Sequence, residues 1–185
     1  GSDITLGLVA SQRTENDTAR ISPDMVTRCG LRWYKNRVVV NNDADSKNIW
    51  RLREDRDAVR SLLTMSYVTT GRLLLANSFA QLSPEIIHDL TRVYPFHTTP
   101  KSARPVDALI EKYPRIYDFE VSPDWHQVTF YNPSAADTMD VAVSLAGDTA
   151  EGALGLNPRK RYYVYDFWND VFVGELPGSG SLTQR

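Results

Sequence analysis

Cysteine is almost absent: Cys29 stands alone in 185 residues. An internal disulfide is thereby excluded, and a single thiol fits no zinc-ligand spacing. Histidine is nearly as rare. His88, His97 and His126 are scattered and place no metal-ligand pair on one helix face. Long apolar runs are missing too, since none approaches the roughly 20 residues that a helix needs to span a bilayer. Neither sign of charge dominates: 21 Lys and Arg stand against 23 Asp and Glu, a net −2. That balance gives no electrostatic reason to expect nucleic acid or an anionic membrane as partner. No signal peptide is recognisable, and the opening Gly1-Ser2 reads as a cloning remnant, so the compartment is left open. No cofactor or metal motif is found, and neither group is expected.

What is present suits a globular chain of one domain or two small ones, with 42% hydrophobic and 24% charged residues. The stretch with the most information is Arg37 to Asp45, RVVVNNDAD. Three consecutive valines suit a strand buried on both faces, as in a parallel sheet covered by helices. The run then turns polar at Asn41, Asn42, Asp43 and Asp45. In α/β folds such a switch marks the carboxyl end of a strand, where ligands bind. The same letters also read as a buried strand followed by an ordinary Asn/Asp turn.

Residues 4 to 10 (ITLGLVA) read as a short strand that ends in the polar SQRTEND, where Arg13 and Asp17 are the charged groups of note. Ser22-Pro23-Asp24 starts a helix, with a serine cap, proline at the first position and an acid in the first turn. Val26, Cys29, Gly30 and Trp33 continue it toward Lys35-Asn36. A second helix is predicted from about Asp57 to Thr70, with Val59, Leu62, Leu63 and Tyr67 as its stripe and Gly71 as its stop. Leu73 to Ala76 reads as another two-sided strand, ending at Asn77-Ser78. Ser83-Pro84-Glu85 opens a third helix, lined by Ile86, Ile87, Leu90 and Val93 and stopped by Pro95. Strands alternating with helices predict a parallel sheet, as a barrel segment or an open doubly wound sheet.

Composition changes after Pro95. From Arg115 short alternating runs are broken by turns: RIYDFEV, HQVTFYN, MDVAVSLA, RYYVYDFW and VFVGEL. That spacing predicts an antiparallel β-sandwich. The aromatics Tyr162, Tyr163, Tyr165, Phe167 and Trp168 read as sandwich core plus an interface, or else as a carbohydrate-binding platform. Arg159-Lys160-Arg161 reads as a solvated turn.

Taken in order, four segments resemble the carboxyl-terminal part of clan-D glycoside hydrolases, the α-galactosidase or melibiase-like group that includes glycoside hydrolase families 27 and 36. They are RTEND at 13–17, VVVNNDAD at 38–45, RLLLANSFAQLSPE at 72–85 and YYVYDFWNDVFVGEL at 162–176. Two positions depart from the family pattern: Ala44 stands for a proline between the two aspartates, and Asn16 for a glycine before the acid. The resemblance implies an α/β plus all-β fold: the last three βα units of a (β/α)₈ TIM barrel over 1–95, a linker over 96–114, and an antiparallel β-sandwich over 115–185. It further implies a fragment of an enzyme acting on α-linked sugars. Asp17 would be the catalytic acid/base, with Arg13, Asn41, Asn42 and Asp43 on the substrate. The nucleophile would come from a strand this chain does not contain. The partner implied is a glycoside or oligosaccharide substrate, and exposed sheet edges imply self-association. A non-catalytic carbohydrate-binding or interaction module is the alternative, and a structural remnant without activity a third.

Overall fold

Serine and aspartate caps set the helices. In the computed structural model, which describes residues 8–14, 22–43, 45–76, 78–94, 101–134 and 136–184, Ser22 Oγ accepts from the Met25 amide at 3.1 Å and starts α1, Pro23–Gly30. Asp55 accepts from the Ala58 amide and starts α2, Arg56–Thr69. Ser83 accepts from the Ile86 amide and starts α3, Pro84–Val93. Each cap satisfies an amide that the first helical turn would leave unpaired. Arg37 closes the other end of α2, donating to the Tyr67 and Thr70 carbonyls at 3.2 Å each.

The strands before β5 are very short. They are β1 (Ser11–Arg13), β2 (Asn41–Asp43), β3 (Ser46–Lys47) and β4 (Leu74–Leu75). β1 pairs β2 and β3 pairs β4, both parallel but as two separate two-stranded sheets. The carboxyl half holds β5 (Arg104–Pro105), β6 (Ile116–Ser122), β7 (Trp125–Phe130), β8 (Val141–Ser144), β9 (Arg161–Asp166), β10 (Val171–Pro177) and β11 (Ser181–Gln184). All its pairings are antiparallel, in the orders β5-β6-β7, β9-β10 and β8-β11.

The expectation of three βα units of a TIM barrel is therefore corrected. Among the described residues the architecture is a set of small, mostly antiparallel sheets with three short helices. The valine run shows why. Arg37 takes a left-handed φ of 65°. The amides of Val38, Val39 and Val40 then all point at the Lys35 carbonyl, 3.1–3.3 Å away. Val38 and Val39 form a turn and are 60% and 53% exposed, and only Val40 is buried. Leu74 and Leu75 are half-buried and form a two-residue strand, not the two-sided buried strand expected over Leu73 to Ala76. The short strands expected after Arg115 are found, but they make three separate sheets and not one two-layered sandwich.

β6 is the strand the packing depends on, because Ile116, Tyr117, Asp118 and Phe119 are all buried in succession. Tyr117 and Phe119 pack against Met25, Val26 and Cys29 of α1 and Met65 and Val68 of α2. Ile116 packs with Val106, Val141, Val143 and Leu145 on the other side. A hydrophobic cluster thus runs across the boundary expected near residue 115. Gly30 permits the close approach of α1: a Cβ there would lie 2.7 Å from the Tyr117 ring and hydroxyl. A third cluster joins α2 to α3 through Val59, Leu62, Leu63, Ile86 and Leu90.

Candidate functional site

The parallel register of β1 on β2 sets Ser11 beside Asn41, Gln12 beside Asn42 and Arg13 beside Asp43. Two residues 30 positions apart thereby share one strand end. The pairing extends one residue further, since the Thr14 amide donates to the Asp43 carbonyl at 2.7 Å.

Arg13 extends from β1 with 61% of its side chain exposed. Its guanidinium grips Asp45 through both carboxylate oxygens, at 2.7 Å each. The Asp45 side chain is 4% exposed. A planar fork on a carboxylate fixes orientation as well as charge. Asp45 reaches that position through a left-handed φ of 64°, a conformation aspartate tolerates better than most side chains. Its own amide donates to Asp43 Oδ1 at 2.8 Å. Asp43 Oδ2 lies 3.8 Å from Arg72, which follows α2. The result is a row, Arg13, Asp45, Asp43, Arg72, in which two adjacent carboxylates are flanked by two guanidiniums and each charge has one opposite neighbour.

Asn41 stands at the edge of this row, its amide nitrogen donating to the Ala10 carbonyl at 3.3 Å. Gly71 lies directly behind it, where a Cβ would come within 2.9 Å of the Asn41 Cα. Asn42 is wholly buried. Its side-chain amide donates to the Cys29 carbonyl at 3.3 Å, and its backbone amide donates to Asn36 Oδ1 at 2.8 Å. Asn42 braces the strand end, whereas Arg13 is exposed and Asn41 and Asp43 are half-buried on the opposite face of the strand from Asn42. Asp17 and Asn77 lie outside the described residues. Sequence reading passed over Asp45 as the partner of Arg13 and Arg72 as the partner of Asp43. The available signal was the spacing of Asp43 and Asp45 around a turn, which puts two carboxylates within reach of one strand end.

Chemically the row offers cationic donors and carboxylate acceptors side by side, partly open to solvent. That is what hydroxyl groups need, since each can donate and accept. Among the described residues no group of three His, Cys, Asp or Glu is placed to hold a metal ion. No described helix is long and apolar enough to cross a membrane. Comparison with protein-family models, curated proteins and solved structures gives no match to this chain.

Proposed function

We propose that this chain is part of a glycoside hydrolase acting on α-linked sugars, α-galactosidase-like, and that Arg13, Asn41 and Asp43 contact the sugar. The placement of Arg13 beside Asp43 in the β1–β2 register carries this reading. The ordered sequence segments described above support it. Asp17 is the acid/base of the parent enzyme. Asn42 positions the strand end, and Asp45 holds Arg13 in orientation.

The chain by itself turns over no glycoside. One general acid contributes about 10² to 10⁴-fold, and glycosidases work through two carboxylates placed across the scissile bond. Sugar binding is therefore the property to measure. Hydrogen bonds to charged groups contribute about 1.5–3 kcal/mol, so Arg13→Ala should weaken binding of methyl α-galactoside at least tenfold by calorimetric titration. Equal affinity in wild type and Arg13→Ala would remove the basis of the reading.

A carbohydrate-binding module without catalysis is the second reading, favoured by the exposed aromatics of the β9–β10 hairpin. Tyr163, Tyr165 and Phe172 are 78%, 55% and 59% exposed. If that face holds the sugar, Tyr163→Ala abolishes binding and Arg13→Ala leaves it intact. Self-association belongs to the same proposal, because β9 and β10 form a two-stranded sheet whose edges invite pairing.

A further inference from the structure

We infer that the cleft between the β5-β6-β7 sheet and the 154–157 loop binds a small oxyanion (carboxylate, sulfate or phosphate) through His126 and Lys160. The cleft measures about 330 Å³ and is lined by Arg104, Asp118, Glu120, His126, Lys160 and Tyr162 among others. That volume lies at the small end of ligand sites. Its carboxylates are already matched from within. Asp118, 6% exposed, faces His126 Nδ1 at 2.9 Å and Arg104 at 3.7 Å. Glu120 accepts from Lys101 at 2.8 Å. Arg104 is occupied in turn, donating to the Thr149 and Ala153 carbonyls at 3.3 and 3.2 Å.

Two cationic positions remain for a ligand. Lys160 is paired with Asp124, whose side chain is 69% exposed, and such surface pairs contribute little. The His126 side chain is 13% exposed. With Nδ1 engaged by Asp118, its other ring nitrogen is the one left for a ligand. Protonated, that nitrogen donates to an anion; neutral, it can only accept.

The charged groups around His126 are Asp118 and Glu120 of β6, Arg104 of β5, Lys101 before it, and Lys160 before β9. The hydrogen bond to Asp118 is the largest influence and raises the imidazole above its ordinary value. Burial opposes it, the charges of Asp118 and Glu120 reinforce it, and Lys101 opposes it. The pair therefore stabilises the fold fully below about pH 6.5. That contribution is lost as pH rises through the raised value. Anion affinity should follow the same course.

This inference is independent of the sugar reading, because the two ligands map to different residues. Sulfate is the probe, since it stays a dianion across the range tested. With the full chain, amide chemical shifts should show saturable binding at about pH 6 around the cleft, at least about fivefold weaker at pH 9. Lys160→Gln, a surface change, should weaken binding at both pH values without moving the unfolding midpoint. His126→Gln should remove the pH difference. No saturable binding at pH 6, shifts away from the cleft, equal affinity at the two pH values, or indifference to Lys160→Gln would each overturn the proposal.

Discussion

Replacing Asp89 by alanine should cost the fold about 3 kcal/mol, the low end of the range for removing one partner of a buried ion pair. Asp89 sits on α3 with its side chain fully buried. Arg56 and Arg60, one turn apart on α2, both reach it. Arg56 donates to its two oxygens at 2.7 and 2.8 Å, and Arg60 at 3.0 and 3.3 Å. The low end applies because Arg56 is 43% exposed and can hydrate when its partner is gone. For a chain this long the loss corresponds to roughly 6–12 °C in Tm. Burial pushes the Asp89 carboxyl up, but the hydrogen bonds and charges of the two arginines outweigh it and hold it below its ordinary value. The group's contribution is thus present above about pH 4 and lost as pH falls through the lowered value. Acid unfolding should accordingly be less steep in Asp89→Ala than in wild type. Denaturant titrations at neutral and acid pH check both points, and a loss under about 1 kcal/mol would mean that the cluster behaves as a surface pair.

Trp168→Ala should cost about 2–3 kcal/mol, somewhat less than the 3–5 typical of a fully buried tryptophan. Trp168 lies in the turn between β9 and β10, yet its indole packs on the α2–α3 cluster. Its Nε1 donates to Thr64 Oγ1 at 2.9 Å, across 104 residues of sequence. The Arg60 guanidinium lies 5.1 Å from the ring centroid, a distance at which cation–π attraction acts. Arg92 donates to the Phe167 and Trp168 carbonyls. Trp168→Phe should keep most of the packing and lose about 1 kcal/mol with the hydrogen bond. A change within about 0.5 kcal/mol for Trp168→Ala would show that the turn does not anchor the hairpin to the helices.

The helix starts were legible because their signals are local, although α1 ends at Gly30 and not near Lys35-Asn36 as expected. Ser22-Pro23 and Ser83-Pro84 cap the helices they were expected to cap, and α2 spans 56–69 against an expected 57–70. The valine run misled because its meaning depends on residue 37. A left-handed φ at Arg37 folds the valine amides onto one carbonyl, and nothing in an arginine announces that. β6 misled in the opposite direction: RIYDFEV alternates like a half-solvated strand, but α1 and α2 cover its second face. Arg13, Asn41 and Asp43 do come together, but not as the ends of apolar strands: the polar residues themselves form the short strands β1 and β2, and the valines before β2 form a turn. The pairing of Arg13 with Asp45 was not legible, because it spans 32 residues and needs a left-handed aspartate. The Asp118–His126 contact depends on register as well. His126 lies opposite Glu120 and diagonal to Asp118 across the hairpin, a geometry that exists only once the strands are paired.

In the proposed function a sugar rests on the β1–β2 strand end. The most direct test is residue-resolved: amide chemical shifts of the wild-type chain during titration with methyl α-galactoside. The expected result is saturable shifts confined to Ser11–Thr14, Asn41–Asp43 and Arg72, absent in Arg13→Ala. Shifts confined to Tyr163, Tyr165 and Phe172, or no shifts at all at saturating sugar, would contradict it.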